Sequence, residues 1–275
     1  MTPKFTEAQL EKAVIDLLEQ EGYSHTLGEK LNRSSNEEVL LLSDFHQYLL
    51  RRYASEGITV SEMNSIAHQM QVLSSSALYD SNKQVMKWLS DGFIFRREAQ
   101  ENQDLFVQLV DFENDANNVY QFVTQLEIEG VNGKRIPDGI LYINGLPLVV
   151  FEFKSAIRET VNIKEAYDQI TERYGRDIPE LFKYNAFCVI SDGVNSRSGS
   201  FFAGYNFYYA WRKIDGTEGK EVDGIRSLYT LVKGMLHKNR LRDVLQNFIY
   251  LPDKSDNSET KILCRYPQYY GARAL

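Results

Sequence analysis

Three charged residues in the middle of the chain have the types and spacing of a metal-assisted hydrolytic site. Asp138 follows Pro137, and Glu152 and Lys154 alternate with apolar residues around Phe153. Two carboxylates offer the hard oxygen ligands that Mg²⁺ prefers, and Mg²⁺ takes the rest of its shell from water and phosphate. A neighbouring lysine can orient an attacking water and neutralise charge that develops on phosphate. The trio therefore predicts Mg²⁺-dependent hydrolysis of phosphodiesters.

Two strands and a turn must position this trio. Residues two apart on a pleated strand share a face, so Glu152 and Lys154 should project together. Asn144-Gly145 predicts a hairpin that returns the chain past Asp138. A plain two-residue turn would leave Asp138 on the wrong face, whereas a three-residue loop or a bulge near Pro147 would set it opposite Glu152. We expect this second arrangement, because a shared cation needs both carboxylates on one face.

The same residue pattern occurs a second time, so residue types alone do not select the site. Pro252-Asp253 is followed by Glu259 and Lys261, in a polar stretch over 251–260 that we interpret as a linker. The first copy lies in apolar segments joined by a hairpin, which would fix its geometry. Taken alone, the first copy is also compatible with a surface ion network on a hairpin.

Hydrophobic periodicity predicts an α/β chain. Thr6 and Gly22 bound an amphipathic helix, and residues 36–88 keep a helical pattern that predicts two or three packed helices. Alternating, β-branched and aromatic residues then predict strands. The later elements are expected as strands at 93–95, 105–107, 119–123, 140–143 and 148–153, a helical stretch at 162–182, a strand at 187–190 and a helix at 225–249.

Composition indicates an ordinary globular protein in which any contact with nucleic acid is local. The chain has 275 residues, of which 43% are hydrophobic, and a formal net charge of −7. Binding to phosphate draws on clustered lysine and arginine, so an acidic chain does not grip nucleic acid over its whole surface. The local candidates are Lys134-Arg135, Arg158 with Lys164, Arg173 with Arg176, and Lys238 with Arg240 and Arg242.

The sequence does not indicate a disulfide-stabilised protein, a zinc protein or a membrane protein. Cys188 and Cys264 are far apart and lie in no metal-ligand spacing, so neither a disulfide framework nor a zinc site is indicated. No apolar run approaches the length of a membrane span, and the N-terminus lacks a signal-peptide pattern. We therefore expect a cytoplasmic protein without a membrane partner.

Four longer segments carry a likeness that is more specific than the three-residue pattern. They are FTEAQLEKAVIDLLEQEGY, GKRIPDGILYINGLPLVVFEFKSA, EAYDQITERYGRDIPELFKYNAFCVISDG and LVKGMLHKNRLRDVLQNFIYL. Together they resemble the N-terminal nuclease region of the R (HsdR) subunit of type I restriction-modification enzymes, within the PD-(D/E)xK nuclease superfamily. The resemblance implies a restriction-endonuclease-like α/β core, with a mixed central sheet flanked by helices and an added helical subregion at 24–100. It also implies a nuclease domain over 1–255, followed at 256–275 by a linker and the start of an ATP-driven, helicase-like motor.

The resemblance implies roles for particular residues. Asp138, Glu152 and the backbone carbonyl of Phe153 would bind Mg²⁺, and Lys154 would be the catalytic lysine. A glutamate in the first helix would complete the catalytic set, with Glu11 the better match and Glu7 the alternative.

Type I R subunits often carry a glutamine and, four residues later, a tyrosine on the helix after the lysine strand. Gln169 and Tyr174 are five residues apart, which is about 140° around a regular helix rather than about 40°. Only a helix irregularity would bring both to the site. By the resemblance, Gln169 and Tyr174 would bind DNA or support the site, and Gln268 would contact the adenine of a nucleotide. Arg135, one of the local basic candidates, would also bind DNA or support the site.

The resemblance implies an ATP-dependent type I site-specific deoxyribonuclease in its full complex. Double-stranded DNA would be cut after translocation by the full-length protein, assembled with methylation and specificity subunits. ATP would act only through the motor, because this chain has no G-x-x-x-x-G-K-[ST] loop. Two alternatives remain, a catalytically inactive docking domain of a DNA-processing complex and a PD-(D/E)xK nuclease without a motor.

Overall fold

The computed structural model describes residues 5–98, 103–155, 163–215, 226–253 and 259–275. Its helices are α1 (Glu7–Gln20), α2 (Leu42–Tyr53), α3 (Val60–Gln71), α4 (Leu78–Asp91), α5 (Ile163–Asp168), α6 (Gly175–Asp177), α7 (Pro179–Phe182), α8 (Arg226–Gly234), α9 (Lys238–Asn247) and α10 (Tyr266–Arg273). Its strands are β1 (Ser24–Leu27), β2 (Phe93–Phe95), β3 (Leu105–Val107), β4 (Tyr120–Thr124), β5 (Ile128–Gly130), β6 (Gly133–Arg135), β7 (Gly139–Ile143), β8 (Leu146–Phe153), β9 (Phe187–Ser191), β10 (Ser196–Gly199), β11 (Ile249–Tyr250) and β12 (Ile262–Leu263). A π-helical segment, Gln169–Tyr174, joins α5 to α6.

A mixed sheet in the order β1-β4-β7-β8-β9-β10 forms the centre of the fold within the described ranges. β1 is parallel to β4 and β8 is parallel to β9, while the other neighbouring strands are antiparallel. Every residue of β7 and β8 is buried, as expected for central strands with helices packed around them. Helix α1 contacts β4 and β8, and α5 contacts β8 and β9. The predicted α/β architecture with a mixed, helix-flanked sheet is thereby confirmed.

Helix α1 has the boundaries that the sequence predicts. The Thr6 side chain accepts a hydrogen bond from the backbone N–H of Gln9, and the Gln9 side chain accepts one from the backbone N–H of Thr6. Gly22 follows the helix with a φ of +82°, a conformation that glycine adopts without strain. The buried face presents Leu10, Val14 and Leu18 to the core. Helix α1 therefore packs against β4 and β8, the strand that carries Glu152.

Two predicted helical stretches differ in detail. Within the expected helical subregion, Ser24–Leu27 is strand β1 and pairs with β4. The sequence does not predict this strand, because four residues are too few to show a period and the pairing partner is distant in the chain. The predicted helix at 225–249 is divided after Gly234, where an added Cβ would lie 2.4 Å from a ring atom of Trp211. Helices α2, α3 and α4 confirm the prediction of two or three packed helices. No described helix is long and apolar enough to cross a membrane.

The described part of the C-terminal segment, residues 259–275, contacts the rest of the structure. Lys261 is 1% exposed, and its Nζ donates to Asn82 Oδ1 at 2.9 Å and to the carbonyl of Asn185 at 2.6 Å. The Tyr79 hydroxyl lies 2.8 Å from the carbonyl of Thr260. The lysine of the second copy is thus buried, with its Nζ bonded to two amide oxygens.

Burial lowers the pKa of Lys261 from 10.5 to about 7. Between these values the unfolded chain binds a proton that the folded chain lacks, so folding becomes more favourable as pH rises from 7 to 10. We expect Lys261→Met to lack this contribution. The free energy of unfolding of the parent, relative to the variant, should grow by on the order of a few kcal/mol across that window. Urea titrations at pH 7 and pH 9.5 measure it.

The matched control is Lys87→Met, which replaces an exposed lysine of α4. Its difference from the parent should stay constant with pH. A constant difference for Lys261→Met as well would contradict the burial of a lysine with a lowered pKa.

Candidate active site

A tight turn joins β7 to β8. Asn144 and Gly145 have φ values of +53° and +79°, the pattern of the two-residue hairpin turns that match strand twist. The Asn144 side chain accepts from the backbone N–H of Val119 at 2.8 Å and donates to the carbonyl of Leu109 at 3.0 Å. Gly145 has no room for a side chain, because a Cβ would lie 2.4 Å from the carbonyl oxygen of Leu41. The turn is therefore held by contacts with three distant segments.

A β-bulge sets the register of this hairpin. Tyr142 pairs with Pro147 but Leu141 pairs with Val149, so Leu148 is the extra residue of β8. Proline cannot donate to the ladder, which favours a bulge at its side. Beyond the bulge Gly139 pairs with Phe151, and continuing by one residue sets Asp138 opposite Glu152. The bulge near Pro147, one of the two devices expected from the sequence, is present together with a two-residue turn.

The three predicted catalytic residues meet at the end of the β7–β8 hairpin. Asp138 Oδ2 accepts a hydrogen bond from the backbone N–H of Phe153 at 2.5 Å. Lys154 Nζ donates to Glu152 Oε1 at 2.8 Å. The Glu152 side chain is only 1% exposed, and that of Lys154 is 14% exposed. The charged face of β8 is therefore enclosed, and not an open surface network.

The π-helical segment covers Glu152. Tyr174 donates its hydroxyl to Glu152 Oε2 at 2.8 Å, and Gln169 Nε2 donates to the Tyr174 hydroxyl at 2.7 Å. A π-helix has i→i+5 hydrogen bonding, so residues five apart stack on one face. This is the irregularity that the five-residue spacing requires. It brings Gln169 and Tyr174 to the site together, in a chain from amide to hydroxyl to carboxylate.

The pKa values of both carboxylates are raised, chiefly because the groups are buried. Burial first, and then the charge of Asp138, raise the pKa of Glu152 from 4.5 to about 8, against the opposing effects of Lys154 and Tyr174. Burial also raises the pKa of Asp138 from 3.8 to about 6, opposed by the backbone N–H of Phe153 and by Lys154. Both carboxylates would be fully charged at neutral pH only with added positive charge beside them.

Two glutamates of α1 border the site. The negative charges of Glu7 and Glu11 both raise the pKa of Asp138. Glu7 Oε1 accepts from the backbone N–H of Ser155 at 3.3 Å, and Glu11 Oε2 accepts from Gln125 Nε2 at 2.9 Å. Four residues apart on one helix, they share the face that α1 turns toward the trio. Both the preferred glutamate and its alternative therefore act on the site electrostatically.

Two further predicted residues have different surroundings. The Arg135 guanidinium lies 2.5 Å from Asp177, a carboxylate that is 1% exposed and that sequence reasoning did not select. Gln268 Oε1 accepts from the backbone N–H of Arg265 at the start of α10, a local helix-capping contact. A contact of Gln268 with adenine stays a prediction. Arg158, a candidate for DNA binding, lies outside the described residues.

The donor set fits a hard divalent cation. Asp138, just before β7, and Glu152, on β8, supply carboxylate oxygens, and burial is the main cause of their raised pKa values, so a cation beside them would favour their charged forms. Within the described ranges, no three side chains of His, Cys, Asp or Glu form a ligand cluster. A cation here would therefore take its remaining ligands from backbone, water or substrate, as Mg²⁺ commonly does.

Sequence comparisons identify relatives of the whole chain. The family model described as "Type I restriction enzyme R protein N terminus" matches residues 4–207. The type I restriction enzyme HindI endonuclease subunit of Haemophilus influenzae is 30% identical over 96% of this chain and 26% of its own length. A putative type I restriction enzyme MjaIXP endonuclease subunit of Methanocaldococcus jannaschii is 28% identical over 95% of this chain and 26% of its own length. The chain thus spans about a quarter of these relatives.

The raised pKa of Glu152 gives a prediction for the metal-free protein. Between pH 5 and 8 the folded chain keeps a proton on Glu152 that the unfolded chain has lost, so folding becomes less favourable as pH rises. Glu152→Gln removes this effect. In EDTA, the free energy of unfolding of the parent relative to Glu152→Gln should fall by on the order of a few kcal/mol from pH 5 to pH 8. Urea titrations at four pH values measure the slope.

Glu19→Gln is the control, because Glu19 is exposed on α1. It should follow the parent at every pH. If Glu152→Gln also runs parallel to the parent, Glu152 is not held protonated in the folded chain.

Proposed function

The chain belongs to the family of type I restriction enzyme R protein N-termini, and on that premise we propose that it is an endonuclease module with Asp138, Glu152 and Lys154 as its active site. The observation that carries the proposal is the bulged hairpin, which sets two carboxylates across from each other with a lysine beside them. An enclosed site of this kind favours chemistry over surface ion pairing, because burying two acids costs free energy that packing alone does not require.

Asp138 and Glu152, with the backbone carbonyl of Phe153, would hold Mg²⁺, which supplies Lewis acidity toward the phosphodiester. Lys154 Nζ, 2.8 Å from Glu152 Oε1, would orient the attacking water and neutralise charge on the phosphate. The backbone N–H of Phe153 orients the Asp138 carboxylate. Binding, orienting and neutralising are thus divided among separate groups of this chain.

Gln169 and Tyr174 are positioning residues in this proposal. Their hydrogen bonds reach Glu152 Oε2, the oxygen that Lys154 does not contact. Glu152 is thereby held from both sides and cannot rotate away from Asp138. Glu11, with Glu7 on the same helix face, would add negative charge that strengthens the attraction of a cation.

The activity of the whole protein is a further part of the proposal, because the chain spans about a quarter of its relatives. We infer a full-length subunit that translocates double-stranded DNA with ATP and acts in the cytoplasm with methylation and specificity subunits. The net charge of −7 is compatible with this, since a nuclease tethered to a DNA-bound assembly needs little affinity of its own. ATP would be bound by the motor region, and Gln268 would contact adenine at its start.

Cleavage of supercoiled plasmid by the full-length subunit, assembled with its partners, ATP and Mg²⁺, tests the active site. We expect Asp138→Ala and Lys154→Ala each to reduce cutting at least ~100-fold, because each removes a group that acts on the transition state. ATPase activity, measured in the same assemblies, should remain, since the substitutions lie outside the motor.

Lys87→Ala is the matched control for Lys154→Ala, as an exposed lysine on α4. It should cut like the parent. Cutting that survives both Asp138→Ala and Lys154→Ala would move the chemistry elsewhere and favour the inactive docking domain.

Binding of Mg²⁺ can be tested without activity. We expect 10 mM Mg²⁺ to raise the melting temperature of this chain by roughly 2–6 °C over EDTA, if the dissociation constant is near 1 mM. Asp138→Asn should abolish the shift, because it removes a ligand while keeping the side-chain shape. Asp16→Asn, which alters an exposed aspartate of α1, should retain it. Equal shifts in all three proteins would exclude Asp138 as a ligand.

A further inference from the structure

A positively charged concave surface adjoins the proposed active site. It encloses about 470 Å³, and we call it the basic cleft. Its cationic lining residues are Lys134, Arg135, Arg173 and Arg176. Gln169 and Tyr174 line the same cleft, and Tyr174 bonds directly to Glu152. The basic cleft therefore opens beside the catalytic carboxylates.

The walls of the basic cleft are fixed against each other. One wall is the β5–β6 hairpin, and the other is the π-helical segment with α6. Gly130 allows their close approach, because a Cβ there would lie 2.1 Å from the carbonyl oxygen of Asp177. Asn132 Nδ2 donates to the carbonyl of Arg176 at 2.8 Å. The cleft is thus a built feature and not a gap between loosely packed loops.

One buried carboxylate holds two of the arginines. Asp177 is 1% exposed and accepts from Arg176 Nε at 2.7 Å, and Arg135 reaches it from the opposite wall at 2.5 Å. Arg176 first, and then Arg135, keeps the pKa of Asp177 below its usual value. Two guanidinium groups share one negative charge, so their exposed edges remain a source of positive potential.

Arg173 is the cation most available to a ligand. Its side chain is exposed, and within the described ranges no carboxylate lies within ion-pair distance of it. Lys134, by contrast, pairs with Glu127 at 2.8 Å. Arg173 and Tyr174 line the same cleft, and Tyr174 donates to Glu152, so Arg173 belongs to the wall that reaches the catalytic carboxylates.

We propose that the basic cleft binds the phosphodiester backbone of DNA next to the phosphate that is cut, with Arg173 as the leading phosphate contact. The inference rests on the proposed nuclease function and names the path of the substrate at that site. A guanidinium group can donate two parallel hydrogen bonds to the oxygens of one phosphate. Such contacts with the DNA backbone do not depend on the base sequence. Four cations against Glu127 and Asp177 leave the cleft positive in a chain whose net charge is −7.

Equilibrium binding of this chain to a fluorescein-labelled 30-base-pair duplex tests the cleft. Anisotropy is measured in EDTA, which prevents cleavage, from 50 to 200 mM NaCl. Arg173→Ala should weaken binding roughly 3- to 10-fold at low salt and lower the slope of log affinity against log salt by about 1. Arg173→Lys should restore that slope, because it returns the charge without the guanidinium fork. A purely structural role would not move the salt slope.

Arg51→Ala is the matched control. Arg51 is exposed on α2, and its guanidinium lies near the carbonyl of Ala116, which precedes β4. Gly139 pairs with the other end of β4, so Arg51 is distant from the proposed active site. It should bind like the parent. The cleft is wrong as a DNA site if Arg173→Ala matches Arg51→Ala, or if the parent does not bind at 50 mM NaCl. Displacement of the duplex by 5 mM inorganic phosphate at constant ionic strength would also overturn it, in favour of a free-anion site.

The outcomes separate this inference from the proposed function. If Asp138→Ala abolishes plasmid cutting but Arg173→Ala leaves DNA binding unchanged, the proposed DNA site in the cleft is wrong and the proposed nuclease function stands. If Arg173→Ala weakens DNA binding but Asp138→Ala leaves plasmid cutting unchanged, the cleft is a DNA-binding surface and the proposed active site is wrong.

Discussion

The register between β7 and β8 is the constraint on which the candidate site depends. One extra residue, Leu148, sets Asp138 on the same face as Glu152, and its absence would turn Asp138 to the opposite face. The turn at Asn144-Gly145 adds to the constraint, since its polar contacts and its close approach to Leu41 hold the hairpin against neighbouring segments. A bulge of this kind costs ladder hydrogen bonds, and here it brings two acids together that repel each other unless a cation lies between them.

Enclosure of Glu152 links the hairpin to the helical layer. The carboxylate is almost completely buried, with Lys154 on one oxygen and Tyr174 on the other. A buried acid with a raised pKa is unfavourable in the charged form, so the site opposes its own ionisation until a cation is added. The π-helical segment that supplies Tyr174 also supplies Arg173, which joins the proposed catalytic centre to the basic cleft in a single turn of chain.

Charge is distributed so that opposite signs meet where DNA would enter. Asp138, Glu152 and the glutamates of α1 form an acidic centre, while Arg173 and the pair held by Asp177 form a basic margin. The rest of an acidic chain contributes little attraction to DNA. Under the proposed function, cutting would then depend on delivery of DNA by a larger assembly.

The sequence by itself determined the trio, the hairpin and the first helix. Strand alternation, an Asn-Gly turn and a capped 3.6-residue period are local signals, and Asp138, Glu152, Lys154 and Thr6 are read from them. Only the tertiary structure shows that a bulge, and not a longer loop, sets the register of the hairpin. It also shows that a π-helical segment brings Tyr174 to the site and that Lys261 is buried although its segment is polar. Those choices depend on packing between residues far apart in the chain. Local propensity carries no information about the partner, so only the folded neighbourhood of each residue could settle them.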